Sequence, residues 1–226
     1  MEIPEPHLLE LSEHTDFDYA LAHKVLEFGA KSRYATFYKH QAATGRTVWL
    51  DNSAHELKEP LKLKDILKAA KMINATHIVP FEVRDDARQT WHHIQEAKET
   101  IKKKGLPYKI IGSWQGHKKE LWHLLKHCDE VALPFDRPRT ICVDRSNSKF
   151  FHYFGYRSLD EIRRLTPKSI DTSMPIRAAL YGIDLTTRER RPRTDLLDFT
   201  AKLSDQTLNQ VVANIKLMRE AAKDER

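Results

Sequence analysis

Cysteine and glycine are scarce in this 226-residue chain, with two of the first and seven of the second, and long apolar runs are missing altogether. Cys128 and Cys142 stand apart in unlike surroundings, so neither a disulfide framework nor a cysteine zinc cluster can be assembled, and both read as buried thiols. The glycines are scattered, and no glycine-rich phosphate loop, H-E-x-x-H pair or G-x-S-x-G elbow is present. P-loop nucleotide hydrolysis, zinc proteolysis and serine-hydrolase chemistry therefore lack their mechanical parts. No apolar run nears the roughly 18 residues of a membrane span, and Met1-Glu2-Ile3-Pro4-Glu5-Pro6 is acidic and proline-bearing rather than signal-like. A cytoplasmic protein without a membrane partner is expected.

What is present suits a folded chain. Hydrophobic residues make up 40% and charged residues 31%, enough for one large domain with a well-filled core. The net charge of +6 favours a polyanionic partner through counterion release. Many basic proteins nevertheless bind no nucleic acid, so charge alone leaves that question open.

Strand-like and helix-like stretches alternate along the chain. Leu8–Leu11 reads as a first strand, and a helical region follows from about Asp18 to His40, interrupted at Gly29. Val48-Trp49-Leu50-Asp51 is a strand ending in a carboxylate. Pro60 opens a helix that Asn74 stops, and Thr76 to Glu82 is a second strand ending in an acid. A polar helix spans Asp86 to Lys104, closed by Gly105, and Pro107 to Gly112 leads into Trp114-Gln115-Gly116. After a helix at His117–His127 and a strand at Glu130–Phe135, a short helix is expected over Asn147–Gly155, and Ser158 starts another in the manner of a capping box. This periodicity predicts an α/β fold with parallel strands, either a (β/α) barrel or a doubly wound sheet. Residues 1–185 form the expected catalytic-sized unit. Residues 186–226 then supply a basic connector and a C-terminal amphipathic helix, bearing residues from Leu196 to Leu217, that packs on the same domain.

The acids have a common address. Asp51, Glu82 and Asp171 fall at or just past the carboxyl ends of expected strands, which in a parallel sheet open onto one face. Gln115-Gly116 occupies the corresponding position on an intervening strand, an amide beside a residue with no side chain. Carboxylates, an amide and bare backbone suit recognition of a flat, nitrogen-rich ring. Aspartate is the best nucleophile candidate, because a carboxylate can attack an anomeric carbon and hold the sugar as a covalent intermediate. Each residue also has a plainer reading. Asp171 can cap the helix starting near Pro175, Asp51 can cap a loop, Glu82 can pair with Arg84 or another base, and Gln115 can close a turn. Histidine is abundant, but His123 and His127, spaced i, i+4, have no evident third ligand, so no metal site is expected.

Taken in order, Leu50-Asp51-Asn52-Ser53-Ala54-His55-Glu56, Val79-Pro80-Phe81-Glu82, Trp114-Gln115-Gly116 and Ser169-Ile170-Asp171-Thr172-Ser173-Met174-Pro175 resemble the motifs of the tRNA-guanine transglycosylase superfamily. The likeness runs from about Val48 to Gly182 and is nearest to the short phage branch that modifies DNA. It implies a TIM-type (β/α) barrel, reduced or irregular, in which Asp171 is the nucleophile and Asp51 the general acid and base. Asn52, Glu82, Gln115 and Gly116 would bind the base. The implied reaction exchanges guanine in DNA for a free 7-deazaguanine base without any cofactor, in the host cytoplasm if the protein is phage-encoded. The chain departs from the tRNA enzymes in having Asp51-Asn52-Ser53-Ala54 for Asp-Ser-Gly-Gly and Glu82 for Asp, and in lacking their cysteine zinc site. Loss of that site fits DNA better than tRNA. Arg188, Arg190, Arg191 and Arg193, with Lys102–Lys104, are candidate phosphate contacts, and Trp114 and Phe81 candidate stacking rings, beside the plainer readings of a solvated loop and core aromatics. A tRNA-directed transglycosylase and a catalytically silent nucleic-acid-binding barrel are the alternatives, and a homodimer is compatible with all three.

Overall fold

The computed structural model describes residues 3–137, 139–156, 158–186 and 198–223. The chain divides into two units, one of Phe17–Cys142 and one that joins Met1–Asp16 to Val143–Arg226. The division therefore falls at 16/17 and 142/143, and the segment from 186 onward is grouped with the residues from 143 to 185. The first regular element is helix α1 (Leu8–Ser12) rather than the expected strand, because Leu8 and Leu11 are buried together at i, i+3 spacing on one helical face.

In the unit of Phe17–Cys142 the order is β1 (Asp18–Leu21), α2 (Ala22–Phe28), α3 (Arg33–Ala43), β2 (Val48–Asp51), α4 (Ala54–Leu57), α5 (Leu63–Ile73), β3 (His77–Ile78), α6 (Ala87–Lys104), β4 (Lys109–Ser113), α7 (Lys118–His127) and β5 (Glu130–Pro134). β1 is buried at all four positions. A strand covered on both faces reads as a continuous apolar run, which explains why Tyr19-Ala20-Leu21 looked like the start of a helix. Gly29 ends α2 with φ 83°, and Ser32 opens α3 by accepting from the Ala35 amide. Asp86 caps α6 by accepting from the Gln89 amide, and Gly105, at φ 60°, closes it. Each strand pairs in parallel with the next in sequence, Ala20 opposite Leu50, Leu50 opposite Ile78, Ile78 opposite Ile110 and Gly112 opposite Val131. Gly112 is required by space: a Cβ there would lie 2.7 Å from Cys128 Sγ and 3.1 Å from Leu124 Cδ2 on α7. Burial pushes the Cys128 thiol up to about 12, so it is an inert packing group.

The other unit carries α8 (Arg145–Ser148), β6 (Phe151–Phe154), α9 (Leu159–Leu165), β7 (Ser169–Asp171), α10 (Met174–Tyr181) and α11 (Asp205–Lys223). The expected helix over Asn147–Gly155 is thus one helical turn followed by a strand. Phe150, Phe151 and Phe154 imitate helical spacing, but Phe151, His152 and Tyr153 are consecutively buried, as a covered parallel strand demands. β6 and β7 run parallel, with Phe154 opposite Asp171. Ser158 caps α9 as expected, its hydroxyl accepting from the Glu161 amide. α11 starts at Asp205, later than the sequence pattern suggested; Phe199 and Leu203 are buried ahead of it in non-helical chain, and Leu196 and Leu197 lie outside the described residues. Tyr156, Leu159, Ile162, Met174, Ala178 and Met218 form the core that α9, α10 and α11 enclose. The amino terminus is stitched into it by the Leu203 amide, which donates to His7 Nε2 at 2.8 Å.

Seven parallel strands in chain order, with helices between them, give the α/β class and its (β/α) barrel type. A doubly wound sheet would reverse its strand order at a switch point, and β1 to β5 show no reversal. No helix of the described residues is long and apolar enough to cross a membrane.

Candidate functional site

Within Phe17–Cys142, the carboxyl ends of four consecutive strands carry the polar groups that the sequence singled out. Asp51 is the last residue of β2, and its carboxylate accepts from the Ser53 amide at 2.7 Å. That bond turns the chain through Ser53, which sits at φ 63° although it is not glycine, a local strain that a fixed loop must offset. The Ser53 hydroxyl in turn accepts from the His23 amide at 3.1 Å, tying the loop after β2 to the end of β1. Asn52 is buried, donates to the Pro80 carbonyl at 2.8 Å and accepts from the Ala54 amide at 2.9 Å. Both ends of its amide are thus engaged with backbone, so it acts as a clasp between the β2 and β3 loops rather than as a group held ready for a base.

Glu82 follows β3 and does not pair with Arg84, which bonds Asp136 at 2.8 Å instead. Burial is the main reason its carboxyl is held above the ordinary carboxylate range; the Ser113 hydroxyl, the Asn52 amide and the charge of Arg137 pull the other way. Gln115 is buried, and its amide nitrogen lies 3.4 Å from Glu82 Oε2. Its carbonyl oxygen accepts from the Asp85 amide at 3.2 Å and from Arg137 Nη2 at 3.3 Å. These bonds are long, near the limit at which such contacts hold, so a ligand edge can replace them at little cost. The Gln115 backbone is held more firmly, its N–H reaching the Glu120 carboxylate at 3.0 and 3.1 Å. Gly116 has φ 114°, which requires glycine, and the nearest atom to a Cβ there would be Arg137 Cδ at 3.9 Å, so the turn leaves open space.

Arg137, Asp85 and Glu120 were not picked out by the sequence. Arg137 lies just past β5, where the strand-end rule applied one strand further would have found it. It is buried and donates from Nη1 to Asp85 at 2.6 Å, joining the loops that follow β3 and β5. His23, past the end of β1, has its imidazole lowered to about 4, mainly by burial and next by Lys24, and is therefore neutral at pH 7.

In the other unit, Asp171 ends β7 and is buried. One carboxylate oxygen, Oδ1, lies 3.1 Å from His152 Nε2, and the other nitrogen of that ring, Nδ1, lies 2.8 Å from the Ser169 hydroxyl. Helix capping falls to its neighbours: Thr172 accepts from the Met174 amide at 3.1 Å, and Ser173 accepts from Arg177 at 2.7 Å. His152 escaped the sequence reading because its segment was taken for a helix.

Other candidates are displaced from these strand ends. Trp114 is fully buried, its indole N–H donating to the His117 carbonyl at 2.8 Å, so it is core. Phe81 stacks obliquely on His93 at 4.5 Å. Lys102–Lys104 close α6 at the edge where β4 begins, the end of that sheet opposite Glu82 and Gln115. Arg188, Arg190, Arg191 and Arg193 lie outside the described residues. The described residues hold no group of three or more metal-ligating side chains.

No protein-family model and no curated protein sequence matches the chain. Among solved structures it is similar to monomers generated from the dimeric phosphoribosylanthranilate isomerase of Thermotoga maritima, with TM-score 0.49 and 11% identity over 98% of this chain and 95% of that one. It is also similar to a monomeric dihydrodipicolinate synthase variant, with TM-score 0.49 and 12% identity over 94% of this chain and 89% of the other. At that level neither likeness extends to chemistry.

Proposed function

We propose that the protein is a DNA-guanine transglycosylase that exchanges guanine for a free 7-deazaguanine base. The observation that carries this reading is the row of Asp51, Glu82, Gln115 and Arg137 at or just beyond the ends of β2, β3, β4 and β5. A carboxylate accepts ring and exocyclic N–H groups, an amide pairs with a lactam edge, and a guanidinium supports the carbonyl side of that pairing. The motif order that resembles the guanine transglycosylases adds the roles. Asp171 attacks the anomeric carbon as the bond to guanine N9 breaks, the electron pair leaving with the base, which Asp51 protonates. The incoming base then loses its proton to Asp51 and attacks the same carbon, releasing the Asp171 carboxylate. Atoms and charge balance with no nucleotide hydrolysis or redox partner. In a duplex the target nucleotide must leave the stack.

The test is incubation of the full chain with a guanine-containing DNA duplex and labelled guanine, followed by denaturing electrophoresis. Label should enter the DNA, and a covalent protein–DNA adduct should form with the wild type and vanish with Asp171→Asn. An adduct undiminished in that variant would sink the assignment. Label entering tRNA but not DNA would favour the tRNA-directed alternative, and salt-dependent binding of DNA without exchange would favour a silent binding module.

A further inference from the structure

We propose that His152 is a positioning residue for Asp171, holding one carboxylate oxygen through Nε2–H and stabilising the carboxylate as it is released from the sugar, with Ser169 fixing the tautomer from behind. This inference rests on the transglycosylase reading for its catalytic meaning, but its geometry stands by itself.

The contacts dictate the proton positions. A carboxylate has only acceptors, so at 3.1 Å the His152 Nε2 must carry the hydrogen. Nδ1 then accepts from the Ser169 hydroxyl at 2.8 Å, so a neutral ring is satisfied at both nitrogens. The arrangement is rigid for a local reason. His152 and Ser169 are direct partners in the parallel pairing of β6 with β7, and Phe154 faces Asp171 two residues on. The imidazole is fully buried and meets the Phe154 ring edge-on at 5.2 Å. Ring rotation that would present the wrong nitrogen is thereby blocked by packing as well as by Ser169.

Only Oδ1 is engaged. Asp171 Oδ2 makes no hydrogen bond among the described residues, which leaves it as the attacking oxygen. In the covalent intermediate Oδ2 is bonded to the sugar carbon and Oδ1 becomes the ester carbonyl oxygen, still facing Nε2–H. When the incoming base attacks and the Oδ2–carbon bond breaks, the electron pair returns to the carboxylate, and negative charge reappears partly on Oδ1. The donor is then stronger in the transition state for release than in the ester. In the first step the reverse holds, since the same donor stabilises the carboxylate before attack. Removing it should therefore slow release while sparing or quickening attack. A hydrogen bond to a charged group corresponds to about ten- to hundredfold in rate.

The experiment follows single-turnover formation and decay of the DNA adduct, using a guanine-containing duplex and then excess guanine. His152→Phe, which keeps a flat ring but no donor, should slow adduct decay about ten- to hundredfold without slowing formation to match, so that adduct accumulates. His152→Gln, whose amide can place N–H near the position of Nε2, should restore decay most of the way, which a purely structural histidine would not require. Decay unchanged in His152→Phe, or both steps slowed alike in the two variants, would overturn the proposal. A second measurement separates it from the transglycosylase reading. Nitrogen-15 spectra of the imidazoles at neutral pH should show His152 protonated on Nε2, with that signal shifting in Asp171→Asn. If the wild type forms no adduct, the transglycosylase reading falls; the positioning of Asp171 then stands with an Nε2–H ring and falls with an Nδ1–H ring.

Discussion

Replacing Arg137 by methionine keeps most of the aliphatic stem in its buried slot and removes the guanidinium. Two contacts are lost. The ion pair with Asp85 is short, at 2.6 Å, but the Asp85 side chain is 69% exposed, so solvent screening limits its worth to about 1 kcal/mol or less. The bond to the Gln115 carbonyl is buried, and a charged donor there contributes about 1.5 kcal/mol, the lower end of the usual range because the distance is 3.3 Å. Together they predict a loss of about 2 kcal/mol, or roughly 4–8 °C in Tm. The same substitution takes a positive charge from beside Glu82, whose carboxyl burial already holds above its ordinary range, so its titration moves further upward. If Glu82 must be ionised to accept base N–H groups, the acidic limb of guanine exchange shifts to higher pH in Arg137→Met. Urea unfolding and the pH dependence of kcat/KM on guanine-containing DNA measure the two effects. Unchanged stability together with an unmoved or lowered acidic limb would refute both the clamp and its influence on Glu82.

Two further changes probe the scaffold. Gly112→Ala places a methyl group 2.7 Å from Cys128 Sγ, against a sulfur on a helix that cannot retreat freely, and should cost about 1–3 kcal/mol in urea denaturation; Cys128→Ala in the same chain should recover most of that, and additive losses would contradict the proposed clash. His23 titrates at about 4 in the folded chain against 6.5 for the ordinary imidazole, so the unfolded chain takes up the proton first on acidification, and stability falls as pH drops from 6.5 towards 4. His23→Gln should flatten that part of the stability profile, and equal slopes in the two proteins would show that His23 does not supply it.

Local signals in the sequence located many elements. Gly105 ends α6 because the chain there needs a left-handed residue, and Ser158 and Asp86 begin helices because their oxygens accept free amides. Such rules need only neighbours in sequence. They fail where burial on both sides erases periodicity, as at Asp18–Leu21 and Phe151–Phe154, which were read as helix because their apolar residues alternate with nothing. At Leu8–Leu11 the run is too short for the two patterns to differ.

The strand-end acids were legible for the same local reason: Asp51 and Asp171 close the strands that the sequence drew, and Glu82 follows the short β3. Their partners were not. Asp85 and Arg137 stand 52 residues apart, and His152 and Asp171 stand 19 apart; each pair meets only because parallel strands bring their carboxyl ends to one side. Sequence by itself determined which residue types stand at those ends. Tertiary structure decided that Asn52 is a clasp, that Gln115 is shared between Glu82 and Arg137, and that Asp171 has one oxygen held and one left over, because hydrogen bonds across strands depend on register and burial, which no local pattern records.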